Sequence, residues 1–297
     1  MAFDSAIEPR TQRKFYLDYP GDGPAGGALT FVLSLHGGGS NGKWQRGYFP
    51  VSALVDRYRL VVATPTAATA EPIRRWVAEA DDTYLEGIVD AVFDRFGAQN
   101  IAAFWLVGHS QGGMTSNRLL GTQFFRDRVD GWLSLSGGRF GHAPVVEGFG
   151  PPGGVRSRPS DGRPFPPPTL LPDTDLSFIF ATGEHEIVSL PETSPWAEMY
   201  GAGPRRHLAD VVDDKPGQVY DTLREGRLSK SWGFDARPGT ARIFIYPDAR
   251  DGRVIADVVR FDKGHTEGLE PNITEEIVKL IRMAPGGKAA ALRRESV

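Results

Sequence analysis

The sequence predicts an α/β fold, a mostly parallel central sheet with helices on both faces. Apolar runs of strand length recur along the chain and alternate with stretches whose apolar residues keep a helical period. Two of those runs, residues 31–35 and 103–107, empty directly into glycine-rich turns. The length of 297 residues, with 40% hydrophobic and 24% charged, is ordinary for a single globular domain of this class spanning 1–297.

The elements follow in order. Residues 14–18 read as an early edge strand, 31–35 as the strand feeding the first glycine loop, and 60–64 as the next strand. Between Asp82 and Phe96 the apolar residues Leu85, Ile88, Val89, Val92, Phe93 and Phe96 fall on one helical face, so this helix packs on the sheet, with Asp81 or Asp82 as its cap. Strands follow at 103–107, 132–135 and 176–181. Residues 241–246 and 253–261 are joined by so short a turn that they must pair antiparallel. The last helix, 271–283, carries Ile273, Ile277, Leu280 and Ile281 on one face. Two regions break the alternation. In 141–172, 15 of the 32 residues are Gly or Pro, which excludes both a helix and a central strand. The excursion 189–219 mixes Trp196, Tyr200, Arg205, Arg206 and His207 into polar sequence, and is either a cap or substrate wall or an excursion whose aromatics pack it onto the body. The tail 284–297 is expected to be flexible.

The stretch Phe104-Trp105-Leu106-Val107-Gly108-His109-Ser110-Gln111-Gly112-Gly113 is the most informative. It holds Gly-x-Ser-x-Gly where the buried run ends and apolar positions at helical spacing begin. A serine in so abrupt a strand-to-helix turn projects its hydroxyl above the sheet, and the flanking glycines permit the strained backbone and tight packing. Ser110 is the candidate nucleophile. Upstream, strand 31–35 runs into His36-Gly37-Gly38-Gly39, whose exposed N–H groups suit the oxyanion of a tetrahedral intermediate. The amides of Gly38 and of Gln111, the residue after the serine, are the candidate oxyanion hole. A phosphate-binding loop is the competing reading, but no Gly-Lys-Ser/Thr follows the glycines.

With these two motifs in this order, the chain resembles the α/β-hydrolase family over roughly residues 13–283. The His-Gly-Gly-Gly loop, the Gly-His-Ser-Gln-Gly-Gly elbow and the long Gly/Pro insertions resemble its branch of polyhydroxybutyrate-depolymerase-like and feruloyl-type esterases. The resemblance implies an α/β-hydrolase fold with loop insertions over the active site, and a triad in the chain order Ser, acid, His. Strand 176–181 empties into Thr182-Gly183-Glu184-His185-Glu186-Ile187-Val188. In the family the acid commonly sits three residues past such a glycine and before an aliphatic pair, which points to Glu186, with Glu184 as the alternative. Many relatives carry Asp here, though a carboxylate of either length can orient an imidazole. The glutamate outside the triad is expected to pair with a surface arginine. The histidine is His265, in the loop before the final helix. His36 and His109 are expected to be packing residues, and His142, His185 and His207 to be solvated. Segment 141–172, leaving the sheet after the nucleophile and returning before the acid, is either a lid or a plain surface loop.

Composition narrows the partners. A net charge of −3 and a pI near 6.1 give no blanket attraction to nucleic acid or to an anionic membrane, and no stretch reads as a bilayer span. No paired His/Asp spacing and no cysteine suggest a metal, and no cofactor is implied. Residues 1–13 lack an apolar signal core, so the chain as given reads as cytoplasmic, or as secreted if a leader was removed. Trp44, Tyr48, Phe49 and Trp76 lie in loops bordering the site and would offer an apolar pocket. Arg74 and Arg75 adjoin Trp76, and with 27 Arg against 7 Lys such a cluster would favour carboxylated substrates. The expected function is a serine carboxylic-ester hydrolase acting through an acyl-enzyme on Ser110, on small, aromatic or oligomeric esters. An amidase or peptidase on a polyanionic polymer would use the same residues, and a catalytically silent fold used for binding has no reason to retain all of them.

Overall fold

The computed structural model describes residues 1–71, 73–141, 169–186, 190–219, 232–233 and 236–294. Most of segment 141–172, together with His142 and the Ile187-Val188 pair, lies outside them. Eleven strands form one sheet: β1 (Ala2–Ile7), β2 (Lys14–Tyr19), β3 (Leu29–Leu35), β4 (Leu60–Pro65), β5 (Ile101–His109), β6 (Gly131–Leu135), β7 (Ser177–Gly183), β8 (Arg206–His207), β9 (Val211–Val212), β10 (Thr240–Ile245) and β11 (Ile255–Arg260). The order is β1-β2-β4-β3-β5-β6-β7-β11-β10-β8, with β9 also on β10. The core from β4 to β11 is parallel, and the strands at both margins are antiparallel. Eight α-helices are described: α1 (Gly42–Tyr48), α2 (Val55–Tyr58), α3 (Ala78–Phe96), α4 (Gln111–Leu119), α5 (Gln123–Arg126), α6 (Pro195–Met199), α7 (Pro271–Met283) and α8 (Lys288–Arg294).

Alternation along the strands divides the interior in two. Phe31, Leu33, Leu35, Phe104 and Leu106 meet Leu85, Ile88, Val89 and Val92 of α3 on one face. Val32, Trp105, Val107, Leu133 and Ile179 meet Ile273, Ile277, Val278 and Ile281 of α7 on the other. Each such aliphatic side chain contributes about 1.5–3 kcal/mol on full burial. A parallel sheet must be covered on both faces, which is why its strands are apolar throughout instead of alternating with polar residues. One consequence fixes the site: all parallel strands end at the same rim, where ligands of open α/β sheets bind.

Several expectations change. Helix α3 begins at Ala78, earlier than expected, and Asp81 lies inside its first turn; it still serves the start, because its Oδ2 accepts the Val77 N–H at 2.9 Å. The tail expected to be flexible contains α8, tied down by the Lys288 N–H to Asp130 Oδ1 at 3.2 Å and by Lys288 Nζ to Thr174 Oγ1 at 2.7 Å. In the excursion 189–219, Trp196 and Tyr200 pack onto the body as core residues, the alternative to a cap or substrate wall, and Trp196 Nε1 donates to Leu176 O at the start of β7, the rim opposite the strand ends. Strands β8 and β9 extend the sheet edge. At the described ends of segment 141–172, the Gly141 N–H donates to Thr169 O at 3.1 Å, and the Leu170 N–H donates to Asn117 Oδ1 at 3.0 Å.

Candidate active site

Ser110 stands between β5 and α4 with φ 52° and ψ −119°. This strained backbone is stored where the surrounding packing over-determines it. The packing comes from glycine: a Cβ on Gly112 would lie 2.4 Å from Leu35 O and 2.6 Å from His36 O. Helix α4 therefore presses directly on the end of β3, and the serine is lifted onto the rim between them.

Three strand ends converge there. Ser110 Oγ donates to His265 Nε2 at 2.8 Å, and His265 Nδ1 donates to Glu186 Oε2 at 2.7 Å. Since a carboxylate only accepts, the proton of the neutral imidazole belongs on Nδ1, leaving Nε2 free to accept. Glu186 Oε1 accepts from Ser136 Oγ and from the Gly183 N–H, both at 2.8 Å. Glu186 and His265 are each 3% exposed. Glu184 stands apart, exposed, accepting the Asp262 N–H at 2.8 Å; it braces the histidine loop, a role different from the arginine pairing expected of it. The adjoining His185 donates its backbone N–H to Lys263 O at 3.0 Å, and its Nε2 lies 2.7 Å from Asp262 Oδ1.

The histidine loop is also held from inside. Its carbonyl, His265 O, accepts from Tyr48 Oη at 3.2 Å and from His109 Nε2 at 3.0 Å. Tyr48 and His109 are stacked with centroids 3.8 Å apart, and burial drives His109 well below the usual histidine range, so it stays neutral. Beneath, buried Arg260 donates to Glu267 O at 2.6 Å and Gly268 O at 2.8 Å and pairs with Glu270 at 3.2 Å, while Lys263 pairs with Glu270 at 2.8 Å. Burial would raise the Glu270 carboxyl, but Arg260 and Lys263 outweigh it and hold it below the usual range. Charges so deep are tolerable only when paired and hydrogen-bonded in this way.

The glycine loop is fixed by a further set of bonds. His36 is fully buried; its Nε2 accepts the Ala67 N–H at 3.0 Å and its Nδ1 donates to Gly37 O at 2.7 Å. Burial pushes it down to about 4, so it is neutral near pH 7. Trp76 is 6% exposed; its Nε1 donates to His36 O at 2.8 Å and its N–H to Gln111 Oε1 at 3.2 Å. The Gly39 N–H donates to Arg74 O at 2.7 Å. Among the described residues, the N–H groups of Gly38 and Gln111 have no hydrogen-bond partner.

Of the residues expected to line a pocket, Tyr48, Phe49 and Trp76 are buried supports. Arg74 donates from its guanidinium to Ala67 O at 2.7 Å. Arg75 and Trp44 are exposed. The supporting roles of Ser136, Tyr48 and Arg260 had no local signal in the sequence. Trp232, whose ring centroid is 5.3 Å from that of His265, was likewise not anticipated. Among the described residues, no group of three or more His, Asp or Glu could hold a metal, and no helix is long and apolar enough to cross a membrane.

Sheet order, elbow and the convergence of Ser, Glu and His at the strand ends define an α/β-hydrolase fold. The chain is similar to an acetyl xylan esterase from Aspergillus awamori, with TM-score 0.55 and 12% identity over 95% of this chain and 99% of that one. It also matches an S-formylglutathione hydrolase from Agrobacterium tumefaciens, with TM-score 0.39 and 12% identity over 66% and 78% of the two chains. No family model matches the chain, and no curated protein matches it.

Proposed function

We propose that the protein is a serine carboxylic-ester hydrolase with Ser110, His265 and Glu186 as its triad and the amides of Gly38 and Gln111 as its oxyanion hole. The observation that carries this reading is the continuous hydrogen-bonded series from Ser110 Oγ through His265 to Glu186, with bonds of 2.8 and 2.7 Å. The fold shared with an acetyl xylan esterase supports it. In acylation Ser110 Oγ forms a bond to the ester carbonyl carbon while its proton passes to His265 Nε2. The carbonyl oxygen becomes an oxyanion facing the two free amides, each worth about 3 kcal/mol in such a site. Collapse breaks the bond to the alcohol oxygen, which leaves with the proton from His265. Water repeats the sequence against the acyl-enzyme and releases the acid. Glu186 keeps the imidazole in the accepting tautomer and stabilises the imidazolium between transfers.

The test is covalent labelling with a fluorophosphonate, followed by peptide mapping and assay on a panel of acyl esters and matching amides. The adduct is expected on Ser110, with ester turnover lost in Ser110→Ala while the fold is retained. An adduct on another residue accompanied by full inactivation would overturn the assignment, and turnover of amides in preference to esters would replace the substrate class.

A further inference from the structure

We propose that Trp232 selects the alcohol half of the substrate, and that the site favours esters of aromatic alcohols. This rests on the hydrolase reading above. Because His265 Nε2 must return its proton to the leaving oxygen, that oxygen lies within about 3 Å of Nε2. The carbonyl oxygen points the other way, toward Gly38 and Gln111. The alcohol half of the ester therefore extends along the His265 side of the site.

Three rings are grouped with the imidazole, two of them beside it. His109 has its centroid at 4.8 Å and Trp232 at 5.3 Å, while Tyr48 stacks on His109. Tyr48 and His109 are each 4% exposed, closed off by the body of the protein. Trp232 is only partly buried. It is the member of the group that keeps a surface open to solvent, and so the one a leaving group can meet.

Its position is set by the chain and not by chance contact. Trp232 O accepts from both the N–H and the Oγ1 of Thr266, each at 2.8 Å. The next residue, Gly233, has φ 121°, and a Cβ there would lie 2.8 Å from Thr266 Oγ1 and 3.1 Å from Glu267 Cγ. The backbone carrying the indole is thus pressed onto the residues that directly follow His265. A rigid ring with two torsions loses little entropy when a second ring packs on it. Aromatic pairs of this kind are worth about a factor of ten.

The experiment compares kcat/KM for benzyl acetate and ethyl acetate, whose alcohols are of similar basicity, so that departure of the alcohol is equally difficult and the ratio reports recognition. Trp232→Ala is expected to lower the benzyl-to-ethyl ratio about ten-fold, Trp232→Leu to lower it similarly while keeping bulk, and Trp232→Phe to retain most of it. The ratio of ethyl butyrate to ethyl acetate, which varies only the acyl group, should stay constant in all three. If the variants lose activity on benzyl and ethyl esters alike, with the ratio unchanged, Trp232 is a structural support and the inference is wrong. A wild-type protein that turns over no ester at all would instead bring down the hydrolase reading on which the inference stands.

Discussion

At the residue scale, Glu184 and Glu186 are the same side chain two positions apart and do different work. Only Glu186 has its carboxylate against His265 Nδ1, at 2.7 Å, with the other oxygen saturated by Ser136 and Gly183. Glu186→Gln replaces an acceptor by an amide that favours the wrong imidazole tautomer, so kcat on an activated ester should fall by about 10⁴. Glu184→Gln, which keeps an acceptor for the Asp262 N–H, should change kcat by no more than a few-fold. Steady-state kinetics of the two variants check this, and the reverse ranking would exchange their roles. The offset from Gly183 is a local signal and made Glu186 legible in the sequence. Ser136 and Tyr48 were not legible as supports, because their partners lie far off along the chain: the bond from Ser136 to Glu186 spans 50 residues and that from Tyr48 to His265 spans 217.

At the scale of the element, the decisive contact is α4 against the end of β3. Gly112→Ala would place a methyl group 2.4 Å from Leu35 O. Backbone cannot yield as a side-chain tip does, so the helix must move away from the glycine loop. Overpacking of this kind costs about 1–3 kcal/mol, and the displacement separates Gln111 from Gly38. Urea unfolding should show the stability loss, and activity should fall further than stability alone explains; a variant of full activity would show that the packing tolerates the change. Strands with continuous apolar runs, and α7 with its single apolar face, were readable to within a residue or two because burial dictates their composition. Strand β1 was missed because Ala2–Ile7 alternates only between partial and full exposure, leaving no apolar period to detect. Helix α8 is short and alanine-rich, and docks through Ala289 and Lys288 rather than through a stripe.

At the scale of the whole molecule, stability against pH reports the buried bases. His36 titrates at about 4 in the folded state and His109 well below its usual value, against 6.5 unfolded. The unfolded chain therefore binds more protons below pH 6.5, so their contribution is complete above that pH and is lost as pH falls; His36 alone accounts for about 3 kcal/mol by pH 4. Lys288 has the same sense at the alkaline end, since burial lowers it to about 8 from 10.5, and stability should gain as pH rises between those values. Calorimetry should show Tm falling from pH 6.5 to 4, and a rise above pH 8 that Lys288→Met abolishes; a Tm flat across the acid range would contradict the burial of His36 as a neutral acceptor. The bond that joins Gly141 to Thr169 has a consequence of another kind. The described residues on either side of 142–168 therefore meet at one seam, where Asn117 also holds Leu170. Doubling such a segment costs only about 0.6 kcal/mol of closure entropy. Length between two such points is close to free, so the seam is a place where the chain can be lengthened or shortened in the course of descent at little cost to the rest.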